Sequence, residues 1–246
     1  MTKVILLRAC CTVAFLMPLI VVTPHAQTRK IKKEMQTEFV VDGSGRLVPD
    51  TTELTKLYNK KGLVIEEAEK SIWPQLQRVV VYAKKHFHNA RGRNDSTRTF
   101  IDGKLTLTLK LKYDSSGREI GVQEIADDGK PGYRVRNFYT GNNKQKSRQE
   151  MYDPDGKPFS FRNYSYDAKG NLVDESGTEG GQPRYRWLSR YDDKNRLVER
   201  LDYSGLGELL EKHVYKYGVN GKISRENVIN AQGKLVRVMK YRYDYY

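Results

Sequence analysis

Ser189, Glu199 and His213 are of the types that acyl-transfer enzymes combine, and they recur at intervals that a β-meander brings into one row. Register counted from hairpin turns at Asn195, Gly207, Gly221 and Gly233 places Ser189, Glu199, His213, Asn227 and Arg237 opposite one another on successive strands. In that row Glu199 stands between Ser189 and His213, whereas a triad needs the histidine between nucleophile and acid. The row is bordered by Trp187, Tyr191, Tyr203, Tyr215 and Tyr217, whose flat rings suit the faces of sugars. Arg225, Asn227 and Arg237 add groups that grip hydroxyls or anions. The row therefore reads as a ligand groove or a register-holding charge ladder, with a hydrolase using Glu199 and His213 as the alternative. His86 and His88 lack a third ligand nearby, so no metal site is expected. No phosphate-binding loop, dinucleotide fingerprint, nucleophile elbow or paired-cysteine pattern is present, and no cofactor is expected.

A turn signal positions these residues. Gly117, Gly129, Asn143, Gly156, Gly170, Gly181, Asn195, Gly207, Gly221 and Gly233 mark a frame of about 13 residues, or one hairpin in about 26. Four places earlier stand Tyr113, Tyr139, Tyr152, Tyr166, Tyr191, Tyr203 and Tyr217. Three places earlier, residues such as Asp114, Asp153, Asp167, Asp192 and Ser204 offer a short side-chain acceptor that closes an Asx or Ser/Thr turn. Arg118, Lys157, Arg196, Lys222 or Lys234 follows the frame residue. A type I turn ending in a left-handed glycine with a bulge fits this pattern, pairing each aspartate with the cation and each tyrosine with the next apolar residue.

The segments Tyr113-Asp114-Ser115-Ser116-Gly117-Arg118, Tyr152-Asp153-Pro154-Asp155-Gly156-Lys157 and Tyr166-Asp167-Ala168-Lys169-Gly170-Asn171 resemble the YD repeats of Rhs and teneurin-type proteins. The resemblance covers roughly residues 100–246, with echoes at Val41–Arg46 and Tyr58–Gly62. It implies an antiparallel hairpin array in an extracytoplasmic binding or shell role, although the chain has no room for a complete shell with cargo. The expected fold is mainly β: an antiparallel meander of about eleven or more strands in a curled or twisted sheet. One amphipathic helix is expected near residues 74–90, from Leu76, Val80, Ala83 and Phe87, although Val79-Val80-Val81-Tyr82 favours a strand. That helix would cover the sheet, and Lys240 and Arg242 would guard its last edge. An outer-membrane barrel is excluded on this reading, because charges stand at mid-strand on both faces: Lys212, Glu226 and Lys240 on one, Glu199, Arg225 and Arg237 on the other.

Composition sets the compartment. Residues 1–26 combine Lys3 and Arg8 with an apolar stretch from Ala9 to Val22 and a small residue, Ala26, which is the pattern of a cleaved secretory signal. Residues 27–99 then form an N-terminal segment and 100–246 the repeat array. Both cysteines, Cys10 and Cys11, lie in the leader, so the exported chain would have neither disulfides nor thiolate chemistry. Removing Lys3 and Arg8 lowers the formal charge of +14 to +12. For a periplasmic, cell-surface or secreted protein, that charge points to an anionic polysaccharide or an envelope protein and not to nucleic acid. No membrane span is expected after cleavage, and the sequence leaves the oligomeric state open. The expected role is a non-enzymatic binding or structural module of the cell envelope.

Overall fold

A computed structural model describes residues 30–73, 78–140 and 145–246, with the side chains of 51 and 72–78 excepted. The expected signal peptide at residues 1–26, the expected turn at Asn143 and the start of the expected helix, including Leu76, lie outside the described residues. Sixteen strands follow in chain order: β1 (Ile31–Val41), β2 (Leu47–Tyr58), β3 (Val64–Trp73), β4 (Arg78–His88), β5 (Asn94–Ile101), β6 (Lys104–Tyr113), β7 (Glu119–Ala126) and β8 (Pro131–Tyr139), then β9 (Lys146–Tyr152), β10 (Pro158–Tyr166), β11 (Leu172–Glu179), β12 (Gln182–Tyr191), β13 (Leu197–Ser204), β14 (Leu209–Tyr217), β15 (Ile223–Asn230) and β16 (Leu235–Tyr245). Each pairs antiparallel with its neighbours in sequence, and β16 pairs with β1. The stretch before residue 100 thus supplies β1 to β4 and most of β5 to the same closed sheet.

Closure corrects three expectations. The array is a barrel and not an open curled or twisted sheet, so β16 has no edge for Lys240 and Arg242 to guard. The YD-repeat reading falls with it, because a ribbon that closes on itself after sixteen strands is a different architecture from an Rhs-type hairpin array. The expected helix is absent among the described residues. Residues 78–88 form β4, where β-branched Val79, Val80 and Val81 prefer the pleated sheet and alternate between its two faces.

The turn chemistry is as read. In the β12–β13 turn, Asp192 Oδ1 accepts from the backbone N–H of Lys194 and Arg196 at 3.0 and 2.9 Å, while Asn195 N–H donates to Asp192 O. Asn195 takes φ +57°, where other hairpins place a glycine. The cation pairs back on the acid: Arg196 Nη2 lies 2.7 Å from Asp192, and Arg118 Nε 2.6 Å from Asp114. The N-terminal echoes prove to be full turns, with Gly45 and Gly62 at φ +82° and +83°.

Register is right at the turn and shifted beyond it. Tyr191 faces Leu197, Tyr203 faces Leu209, Tyr217 faces Ile223 and Ile229 faces Leu235, but a bulge follows each pair. The next residues then face partners one place further along: Arg190 with Glu199, Asp202 with Glu211, Lys216 with Arg225 and Val228 with Arg237. A slip of one residue moves a side chain to the opposite face.

Partners traced around the barrel fall on two consistent faces. Buried Thr97, Asn137, Glu175, His213, Glu226 and Val228 share one face, which is the concave, lumenal one. Exposed Lys110, Arg134, Arg186 and Lys240 share the outer one. Barrels of this strand number leave space that their own side chains do not fill, and Tyr133 and Ile120 on the lumenal face are 47% and 41% exposed.

Candidate functional site

The lumenal wall of β13 to β16, with β1, holds a network of buried charges. His213 sits at its centre, its side chain 6% exposed. Its Nδ1 is 2.6 Å from Glu226 Oε1, and its Nε2 is 3.3 Å from Asp202 Oδ2, 3.5 Å from Glu211 Oε2 and 3.2 Å from Arg200 Nη2. Arg200 Nε donates to Asp202 at 2.7 Å and stacks its guanidinium 5.2 Å from the Trp187 ring. Tyr241 donates to Glu226 Oε2 at 2.9 Å. Arg237 bridges Glu211 at 2.5 Å and Glu38 at 3.6 Å, linking β14, β16 and β1.

Electrostatics follow from this packing. Burial works against the imidazolium of His213, yet Asp202 and Glu226 outweigh it and raise its pKa above the usual histidine value. Burial likewise opposes ionisation of Asp202, but His213 and Arg200 prevail and lower its pKa. Neutral His213 donates from Nδ1 to Glu226 and accepts at Nε2 from Arg200; protonated, it donates from Nε2 to Asp202. Tyr215 and Tyr241 are raised, first by burial and then by the Glu226 charge.

The expected row is not formed. His213 faces Arg200 and Val228, and the true row runs Ser189, Arg200, His213, Val228, Arg237, Val40. Ser189, Trp187, His213, Tyr215 and Arg237 share the lumenal face, with Tyr191 and Tyr217 at one rim. Glu199, Tyr203, Arg225 and Asn227 lie outside. Glu199 faces Val214 and pairs with Lys212 at 2.5 Å and Arg190 at 3.4 Å, so the sheet itself separates it from His213. Asp202, Glu226, Arg200, Glu211 and Tyr241 were missed as site residues. The single signal that finds them is the bulge one residue past each turn, which moves Glu199 out and Arg200 in.

The rim tyrosines clamp adjacent strands. Tyr113, Tyr139, Tyr191, Tyr217 and Tyr243 each donate to the carbonyl at the start of the preceding strand, those of Asn94, Glu119, Leu172, Leu197 and Ile223, at 2.8 to 3.0 Å. Arg93, Arg118 and Arg196 lie over the rings of Tyr113, Tyr139 and Tyr217. Tyrosines at these positions therefore act as fasteners of the wall. Two clefts open among the turns at this rim, of about 390 Å³ beside Asp167, Asn171, Tyr191 and Asp192, and about 250 Å³ beside Asn220, Ser224 and Arg242.

Charge is segregated across the wall. On the lumenal face carboxylates outnumber Lys and Arg by about two to one, as in Glu34, Glu67, Glu69, Glu124 and Glu175. On the outer face Lys and Arg outnumber acids by more than about two to one. Aromatic rings are interleaved there: Arg98 lies 4.7 Å from the Phe87 ring and Arg148 4.7 Å from that of Phe161. Burying one outer cation at the midplane of a bilayer costs roughly 2–4 kcal/mol, so each of these cations weighs against contact with lipid chains. No helix among the described residues is long and apolar enough to cross a membrane.

The fold is similar to that of a porin-like protein from Bacteroides uniformis ATCC 8492, with a TM-score of 0.62, 11% identity and coverage of 88% of this chain and 99% of that one. A LolA superfamily protein, NE2245 from Nitrosomonas europaea, aligns over 87% of this chain and 84% of its own at 11% identity, with a TM-score of 0.37. The first likeness shows a shared barrel fold and confirms the correction of the YD-repeat reading; the second is too distant to bear on architecture. No protein-family model matches the sequence, and no curated protein matches it.

Proposed function

We propose that the chain is an exported, non-enzymatic binding module of the cell envelope, periplasmic, cell-surface or secreted, whose outer wall holds an anionic polysaccharide. The observation that carries this reading is the excess of cations on the outer face, interleaved with aromatic rings while carboxylates collect inside. The leader at residues 1–26 supports export. A positive wall concentrates a polyanion along its whole length, and exposed rings beside cations add contact with sugar faces. The hydrolase alternative loses its geometric basis, since Glu199 and His213 stand on opposite faces.

The test is retention of the chain from residue 27 onward on dextran sulfate against unmodified dextran. Retention on the sulfated matrix at low ionic strength, with release by salt, is expected. Equal passage through both matrices removes the polysaccharide reading. Retention only on acidic protein would replace it with docking to an envelope protein.

A further inference from the structure

We propose that the outer face of β14 to β16 carries a specific anion-binding ladder, formed by Lys216, Arg225 and Lys240. The inference rests on the polyanion-binding reading above and gives it a place.

Lys216 faces Arg225, and Arg225 faces Lys240, so three cations stand directly opposite one another on adjacent strands. Like charges in that arrangement destabilise a sheet. At two other places on the same wall acids relieve the cations: Asp174 holds Arg186 at 2.7 Å, and Glu199 holds Lys212 and Arg190. Among the described residues no carboxylate lies within ion-pair distance of the three ladder cations, and Glu199, the diagonal neighbour of Lys216, is held by Lys212 and Arg190. Arg225 Nε donates to Asn227 Oδ1 at 2.6 Å, and Lys240 Nζ lies 4.3 Å from the Phe39 ring. These contacts orient the cations without neutralising them, which leaves the positive row available to an anion.

Arg242 follows Lys240 by two residues on the same face and extends the row towards the rim, where Asp244 lies 3.9 Å from its Nε. The occupant is therefore an anionic polysaccharide that lies along the ladder.

The experiment compares two triple variants of equal charge for binding to soluble dextran sulfate: Lys216→Gln/Arg225→Gln/Lys240→Gln in the ladder, and Lys85→Gln/Lys110→Gln/Lys112→Gln elsewhere on the outer wall. A loss of about tenfold or more in the ladder variant, against under about threefold in the other, is expected. Equal losses overturn the ladder while leaving wall binding intact. Failure of the unaltered protein to bind overturns both, as does binding to phosphatidylglycerol vesicles with none to dextran sulfate. A second readout needs no ligand: Lys216→Glu relieves the repulsion with Arg225 and is expected to raise Tm by about 1–3 °C at low salt while weakening binding. An unchanged or lower Tm contradicts the strained ladder.

Discussion

Replacing His213 by alanine separates the observed register from the one counted off the turns alone. The substitution removes the partner of Glu226 at 2.6 Å and of Asp202 at 3.3 Å, leaving two carboxylates short of a cation in a site where His213 and Glu226 are both almost fully enclosed. Breaking a buried pair in this way costs about 3–5 kcal/mol, and a hydrogen bond to a charged group alone about 1.5–3 kcal/mol. Arg200 stays beside Asp202 and relieves part of the loss, so about 2–4 kcal/mol is expected. For a chain of this size that lowers Tm by roughly 5–15 °C. Glu199→Gln breaks only a partly exposed outer pair and is expected to cost under about 1 kcal/mol. Urea and thermal unfolding followed by circular dichroism at pH 6 measure both, and His213→Leu/Glu226→Leu is expected to regain much of the stability lost by His213→Ala. A His213→Ala cost no larger than that of Glu199→Gln refutes the buried network.

Three further outcomes follow from single residues. Because the folded pKa of His213 lies above its unfolded value, its protonation adds stability that is complete below about pH 6.5 and is lost as pH rises through the folded pKa. His213→Gln should flatten that part of the stability profile, and an unchanged profile contradicts the assignment. Gly121 lies where an added Cβ would meet Val135 O at 2.7 Å across the β7–β8 pair, so Gly121→Ala should cost about 1–3 kcal/mol in urea unfolding; a neutral result means the strands do not approach so closely. Asn195 occupies φ +57°, so Asn195→Ala should cost about 1 kcal/mol while Asn195→Gly stays within a few tenths, and equal costs argue against the left-handed turn.

Much of the local structure was legible because turn chemistry is local. An aspartate three places before a glycine specifies its own acceptor bonds, and the pairs nearest the turns, such as Tyr217 with Ile223, were counted correctly. The bulge beyond each pair left no comparable mark, and it decided that Arg200, not Glu199, stands beside His213. The helix expectation failed because the spacing of Val80, Ala83 and Phe87 matches the helical period over a short window, whereas the β-branched run Val79 to Val81 decides for a strand, in which Val80 faces the lumen and Ala83 and Phe87 face outward. Closure was illegible for a different reason: pairing of β1 with β16 joins residues some two hundred positions apart, and nothing in either strand names its partner. The excess positive charge was plain in the composition, but its confinement to one face depends on register.

The closed wall is tested most directly by a disulfide across β1 and β16. Met35 faces Arg242 on the outer side, where Arg242 Nη2 lies 3.2 Å from Met35 Sδ. Directly opposed residues of antiparallel strands have Cα atoms about 4.5–5.5 Å apart, within disulfide range. In the chain from residue 27 onward, which has no cysteine of its own, Met35→Cys/Arg242→Cys should form an intramolecular disulfide under mild oxidation, while Met35→Cys/Lys212→Cys should not. Absence of the first cross-link, or equal yields from both pairs, contradicts the barrel.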